Sequence, residues 1–149
     1  SLPMPFTYHR TVHFRDTVAA GVVYFANVLS ICHEAYEASL AASGVDLNQF
    51  FRAGEVAVPI VHADVDFFQP MHCGDRLTIH LTPRSINDSE FEITYNLFVE
   101  MLLEKPASRA TTRHVCINPS LRKREALSAE LTLWLQAIAA PPLPTPADG

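Results

Sequence analysis

The chain has 149 residues, a formal net charge of −5 and 48% hydrophobic residues. That length fits one domain whose core needs neither disulfide nor metal to hold it. The acidic balance, without a broad basic stripe, argues against nucleic acid as the main partner, and no apolar run approaches the roughly 18 residues of a membrane span.

In chain order, Ser1-Leu2-Pro3 ahead of Met4 reads as a leader remnant before a native start. No basic segment followed by an apolar one suggests a signal peptide, so the expected location is cytoplasmic. FTYHRTVHF (6–14) is aromatic and β-branched and predicts a strand. RDTVAAG is a turn, and a helix is expected from about Tyr24 to Ser43. Val28, Cys32, Ala35 and Ser39, with Leu29, Tyr36 and Leu40, follow helical spacing, and Gly44 is a C-terminal stop. VDLNQFFRAG reads as a short helix or turn.

Four further strands are expected at 56–68, 75–84, 90–102 and 108–118. In the first of these, Val61, Ala63, Val65 and Phe67 alternate with His62, Asp64, Asp66 and Phe68. MHCGD and SINDSE are turns. A last helix spans Ser128 to Ala139 with Ser128 as N-cap, and the proline-rich tail 141–149 reads as disordered. Residues 1–140 thus form one α+β domain, an antiparallel five-stranded sheet around one long helix. A sheet with one face and an edge uncovered calls for self-association.

Several residues invite a chemical reading. Cys32, Cys73 and Cys116 are odd in number and widely spaced, which predicts buried free thiols rather than a metal site or disulfides. His62, Asp64 and Asp66 share a strand face but sit about 7 Å apart, too far to hold one ion alone. His33 and Glu34 diverge by about 100° on a helix and cannot act on one atom. A satisfied buried or interface histidine is the plainer reading of His33. LRKRE (121–125) is the one dense basic cluster, ordinarily a solvated loop. At AAGVVYF a glycine-containing turn meets a helix N-terminus, where unpaired amides can stabilise a developing oxyanion.

FRDTVAAGVVYFAN with HEAYE resembles the 4-hydroxybenzoyl-CoA thioesterase family of hotdog-fold enzymes. Phe14, Asp16, Ala20, Gly21, Val22, Val23, Tyr24, Asn27, His33 and Glu34 carry the likeness. PIVHADVDFFQPMHCGDRL and TTRHVCIN resemble its later motifs, so the similarity spans nearly all of 6–125. Within the family the chain is most similar to the branch that hydrolyses 1,4-dihydroxy-2-naphthoyl-CoA. The resemblance implies a hotdog fold, a dimer of dimers with shared active sites, an aromatic acyl-CoA substrate and no cofactor beyond the substrate's own coenzyme A. It assigns the thioester carbonyl to the backbone N–H near Phe25, with Gly21 allowing close approach. Asp16, Tyr24 and His33 would lie about the substrate, Asp16 tying the loop through backbone amides. Arg124, with Arg122 and Lys123, would grip the phosphates of coenzyme A.

The chain departs from the pattern at one place. The family's carboxylate nucleophile or general base would fall on Val18, and valine can do neither task. An impaired thioesterase, an acyl-CoA-binding protein without turnover, and an active enzyme carrying a substitution at 18 all fit the sequence. Asp16 is the nearest carboxylate left to act as a substitute base.

Overall fold

Five strands pair antiparallel in the order β1-β3-β4-β5-β2 in the computed structural model, which describes residues 5–52 and 56–139. They are β1 (Phe6–Thr11), β2 (Ile60–Phe67), β3 (Arg76–Asn87), β4 (Glu90–Val99) and β5 (Ser108–Val115). Helices α1 (Asn27–Ala42), α2 (Leu47–Arg52) and α3 (Ala129–Ile138) complete the main elements. Two short strands, β6 (Ile117–Asn118) and β7 (Lys123–Arg124), pair with each other. The leader at 1–3 and the tail at 141–149 lie outside the described residues.

The long helix buries Val28, Ile31, Cys32, Ala35, Tyr36, Ser39 and Leu40, a stripe at i, i+3, i+4 spacing. It packs against sheet residues such as Leu77, Ile79, Ile93 and Leu97, all fully buried. Each such side chain contributes about 1.5–3 kcal/mol relative to an exposed one. Leu29, expected in this stripe, is only half-buried. The helix starts at Asn27 rather than Tyr24 because the Asn27 amide donates to the Tyr24 carbonyl in a preceding turn, at 2.8 Å. At its far end Gly44 adopts a φ of +85°, the left-handed stop that the sequence predicts.

β3 runs three residues further towards its turn with β4 than the sequence suggests, leaving only Asp88 and Ser89 between them, while β4 starts at Glu90 as expected and ends at Val99 rather than 102. Pro83 is tolerated inside β3 because β1 pairs no further along β3 than Leu81. The alternation of β2 breaks at a register shift between Ile60 and His62. Val61, skipped in the pairing with β5, is 57% exposed. This is the signature of a bulge, where one extra residue changes which side chains share a face.

Helix α3 begins at Ser128, whose hydroxyl accepts from the Leu131 amide as expected of an N-cap. The helix carries Trp134 into the core, where its indole N–H donates to Ser39 Oγ at 3.0 Å. Tyr36, Phe91, His114 and Trp134 form one aromatic cluster, with His114 stacked on Phe91 at 4.7 Å. The cysteines are free; Cys32 and Cys116 are buried as expected, and Cys73 is half-buried.

Burial of His114 disfavours its charged form, aided by nearby His33, and pushes its pKa from 6.5 down to about 4. The unfolded chain therefore binds the proton first as pH falls. Stability due to this neutral ring is complete above about pH 6.5 and is lost as pH drops towards 4, by on the order of 3 kcal/mol. Urea midpoints of the chain should fall through that window, and His114→Gln should flatten the fall. A profile unchanged by the substitution would contradict the assignment.

Candidate active site

The loop between β1 and α1 is built from two turns. Phe14–Asp16 forms a single 3₁₀ turn. A hairpin follows: the Gly21 amide donates to the Val18 carbonyl at 2.8 Å, and the Val18 amide donates to the Val22 carbonyl at 3.0 Å. This is a tight turn closed by a left-handed residue, and Gly21 supplies it with a φ of +81°. A Cβ at Gly21 would meet no protein atom within 4 Å, so the conformation, not crowding by the chain, requires glycine. The hairpin is stitched to the Met71–Cys73 segment by Val23 N–H to Met71 C=O and Cys73 N–H to Gly21 C=O.

One buried arginine ties this loop to the helix. Arg10 is 8% exposed, and its guanidinium lies 2.9 Å from Asp16 Oδ2 and 2.9 Å from Glu34 Oε2. Asp16 Oδ2 also accepts the His13 amide at 2.8 Å. Burial alone would raise the Asp16 pKa; the His13 amide and Arg10 outweigh it and hold the carboxyl below its ordinary value. The Asp16 backbone carbonyl accepts both the Tyr24 amide and Asn27 Nδ2, each at 3.0 Å. Tyr24 N–H is thus consumed. The Phe25 amide has no hydrogen-bond acceptor among the described residues, and it opens the first turn before α1. Val18 is 42% exposed.

From this helix end a seam runs between α1 and β2. The exposed Phe25 ring meets Phe67 edge-on at 6.4 Å, and Tyr24 lies against Phe25 at 4.7 Å. Beside them is a recess of about 260 Å³ lined by Val23, Val28, Phe67 and Met71. Next comes one of about 240 Å³ lined by Leu29, Ser30, His33, Ala63, Tyr95 and Thr112, with Ile60 turned in by the β2 irregularity. His33 also borders a third, of about 440 Å³, with Tyr36, Phe50, Val58 and Pro59.

The structure therefore gathers Val18, Gly21, Tyr24 and Phe25 on one loop and sets His33 further along the same seam. His33 is exposed and aims at recesses, while Glu34 turns away to Arg10. Asp16 does not face the seam's ligand space as a free base, because its carboxylate is held by Arg10 and His13. Arg122, Lys123 and Arg124 are brought elsewhere, to β7 and the residue before it. Their hairpin partner Ile117 bridges to Ala57 at the far recess. Arg124 is ion-paired with Glu90, whereas Arg122 and Lys123 make no ion pair among the described residues. Sequence reading misses Arg10, Tyr95 and Thr112. The placement of Arg10 on the inward face with Tyr8 and Val12 was the available signal, since an inward arginine requires acidic partners. His62 and Asp64 pair with each other at 3.1 Å on the exposed β2. Lys105 and Arg109 line a separate recess with Phe68.

Residues 12–135 match the thioesterase-like superfamily. A 1,4-dihydroxy-2-naphthoyl-CoA hydrolase of Crocosphaera subtropica is 58% identical over 131 residues, 88% of this chain and 96% of that protein. The chain belongs to the thioesterase-like superfamily. A protein of the same name from Trichodesmium erythraeum is 58% identical over 132 residues, covering 89% of this chain and 96% of its own length. The crystal structure of a 1,4-dihydroxy-2-naphthoyl-CoA thioesterase from Synechocystis superposes with a TM-score of 0.83 at 40% identity, over 88% of this chain and 95% of that one. The sheet and buried helix are thus those of the hotdog fold, as the thioesterase resemblance implies.

Removing the arginine should loosen the loop. Arg10→Ala leaves the buried Asp16 carboxylate without its cation and should cost about 3 kcal/mol of unfolding free energy. Glu34→Gln, which removes a half-exposed partner, should cost about 1 kcal/mol. Denaturant titration of both variants measures the difference; equal small losses would show that the arginine holds nothing together.

Proposed function

We propose that this chain is an aromatic acyl-CoA thioesterase whose substrate is 1,4-dihydroxy-2-naphthoyl-CoA, with hydrolysis slowed by Val18. The supporting observation is the Phe25 amide at the head of α1, without an acceptor among the described residues and opening onto an apolar seam beside β2. In the reaction, water oxygen bonds to the thioester carbon and charge moves to the carbonyl oxygen. The Phe25 N–H and the helix N-terminus stabilise that charge. Collapse breaks the carbon–sulfur bond, and the departing thiolate takes up a proton. Water supplies the hydroxyl that bonds to the acyl carbon and the proton that the thiolate takes up, coenzyme A enters only as part of the substrate, and we assign no metal or organic cofactor.

The step that lacks a residue is activation of water. Val18 has no lone pair, and Asp16 is engaged by Arg10 and the His13 amide. This favours, as the second reading, a protein that binds the ester and releases it unchanged. A missing general base costs on the order of 10² to 10⁴ in rate. Val18→Asp should therefore raise kcat at least about tenfold while ligand affinity changes little, because the gain lies in the transition state. The restored activity should decline as pH falls through the pKa of the new carboxylate. Thiol release from 1,4-dihydroxy-2-naphthoyl-CoA by both forms reads this out. A valine form as fast as the aspartate form would remove position 18 from the mechanism.

We also assign a dimer of dimers in the cytoplasm. β2 is an edge strand, and Ile60, Val61, Phe67 and Phe68 on and beside it are 43–57% exposed. An uncapped apolar edge of this kind is a template for a second copy. Within one chain the basic residues 122–124 lie at the end of the seam remote from Phe25. One ligand reaching both an amide and these cations would draw them from two subunits, with Arg122 and Lys123 free to meet phosphate. Light scattering should give two or four times the 16.5 kDa chain mass at micromolar concentration. A mass of one chain would overturn the assembly.

A further inference from the structure

The polar cluster beneath the second recess holds one hydrogen more than it can use internally. Thr112 Oγ1 lies 2.8 Å from His114 Nε2 and 3.2 Å from the Tyr95 hydroxyl. All three residues are at most 3% exposed. His114 Nδ1 is buried and has no hydrogen-bond partner among the described residues. The ring is neutral at pH 7, since burial lowers its pKa to about 4, and a neutral imidazole carries a single N–H. On Nδ1 that hydrogen would be a buried donor with no acceptor. On Nε2 it is satisfied by Thr112, and only a lone pair is left bare, which is the less costly deficit.

With Nε2–H, three hydrogens serve two links. A hydroxyl oxygen accepts two hydrogen bonds and donates one. Either hydroxyl of the Thr112–Tyr95 link can donate; with Tyr95 donating, the direction on which the inference below rests, the Thr112 hydrogen is the spare one. Thr112 and Tyr95 line the recess of about 240 Å³, whose apolar wall is Leu29, Ile60 and Ala63. Ser30 and His33 bound it about 4.5 and 9 Å along α1 from its first residue, Asn27, at 1.5 Å per residue.

We propose that the Thr112 hydroxyl, backed by His114 and Tyr95, is a specificity donor that selects acyl groups bearing an oxygen on the aromatic ring, on the side away from the thioester. This rests on the aromatic acyl-CoA reading above. With the carbonyl at the Phe25 amide, the ring extends into the second recess and its oxygen accepts the Thr112 hydrogen. A ring without that oxygen leaves a buried donor unpaired and is disfavoured, as in other sites built to hydrogen-bond a substrate.

Equilibrium binding by calorimetry to the chain as it stands, with 4-hydroxy-2-naphthoyl-CoA and 2-naphthoyl-CoA, tests this. The hydroxylated ester should bind about tenfold more tightly. Thr112→Val should bring the two within about twofold, Thr112→Ser should restore the preference, and Tyr95→Phe should keep most of it. Equal binding of both esters by the unaltered chain overturns the inference alone, as does a preference that survives Thr112→Val. Binding of neither ester overturns the acyl-CoA reading and the inference with it. Nitrogen-15 NMR of His114 gives a check that needs no variant: the Nε2–H tautomer is required, and the Nδ1–H tautomer removes the spare hydrogen and contradicts the proposal.

Discussion

The geometry of the site hangs on one buried cation. Arg10 projects from β1 into the space between the loop and α1 and neutralises a carboxylate on each. A buried guanidinium is tolerable only when so paired, so the strand, the loop and the helix must hold one relative position. That position fixes Asp16, and the Asp16 carbonyl then consumes the Tyr24 amide and the Asn27 side chain. Among the described residues, the Phe25 amide is left without an acceptor. A donor fixed in advance stabilises developing charge without paying reorganisation at the moment of reaction.

This arrangement divides the work between backbone and side chains. The hydrogen-bond donor is a main-chain group, set by turn geometry and by Arg10, and it survives any change of side chain at position 18. The group that activates water would be a side chain, and there the chain carries valine. The same clamp that builds the donor also removes the obvious substitute, since the Asp16 carboxylate is committed to Arg10 and the His13 amide. On the proposed mechanism, binding and polarisation of a thioester are separable from its hydrolysis.

Much of the fold was legible because it is written in local periodicity. The buried stripe of α1, the Gly44 stop, the Ser128 cap and the order of the five strands all follow from spacing and residue type. The irregularity at Val61 was not legible, because an inserted residue leaves the alternation on either side intact and only pairing with β5 reveals it. In the site, the loop residues were legible as a motif, whereas His33, read more plainly as a satisfied buried or interface histidine, is exposed in this chain and lines two recesses. Arg124 was expected to face phosphate and is paired with Glu90, 34 positions earlier. The link of Trp134 to Ser39 and the Tyr95–Thr112–His114 cluster are likewise long-range pairings. Such contacts are set by the packed sheet and helices and leave no mark on local pattern.

On the proposed mechanism this chain polarises a bound thioester although Val18 stands where the family carries its carboxylate. Isotope-edited infrared spectroscopy of 1,4-dihydroxy-2-naphthoyl-CoA, labelled with carbon-13 at the thioester carbonyl and bound to the valine form, reads that polarisation directly. A carbonyl stretch shifted to lower frequency than in water is expected, because the Phe25 amide and the helix N-terminus draw charge onto the oxygen. A stretch at or above its value in water would contradict it.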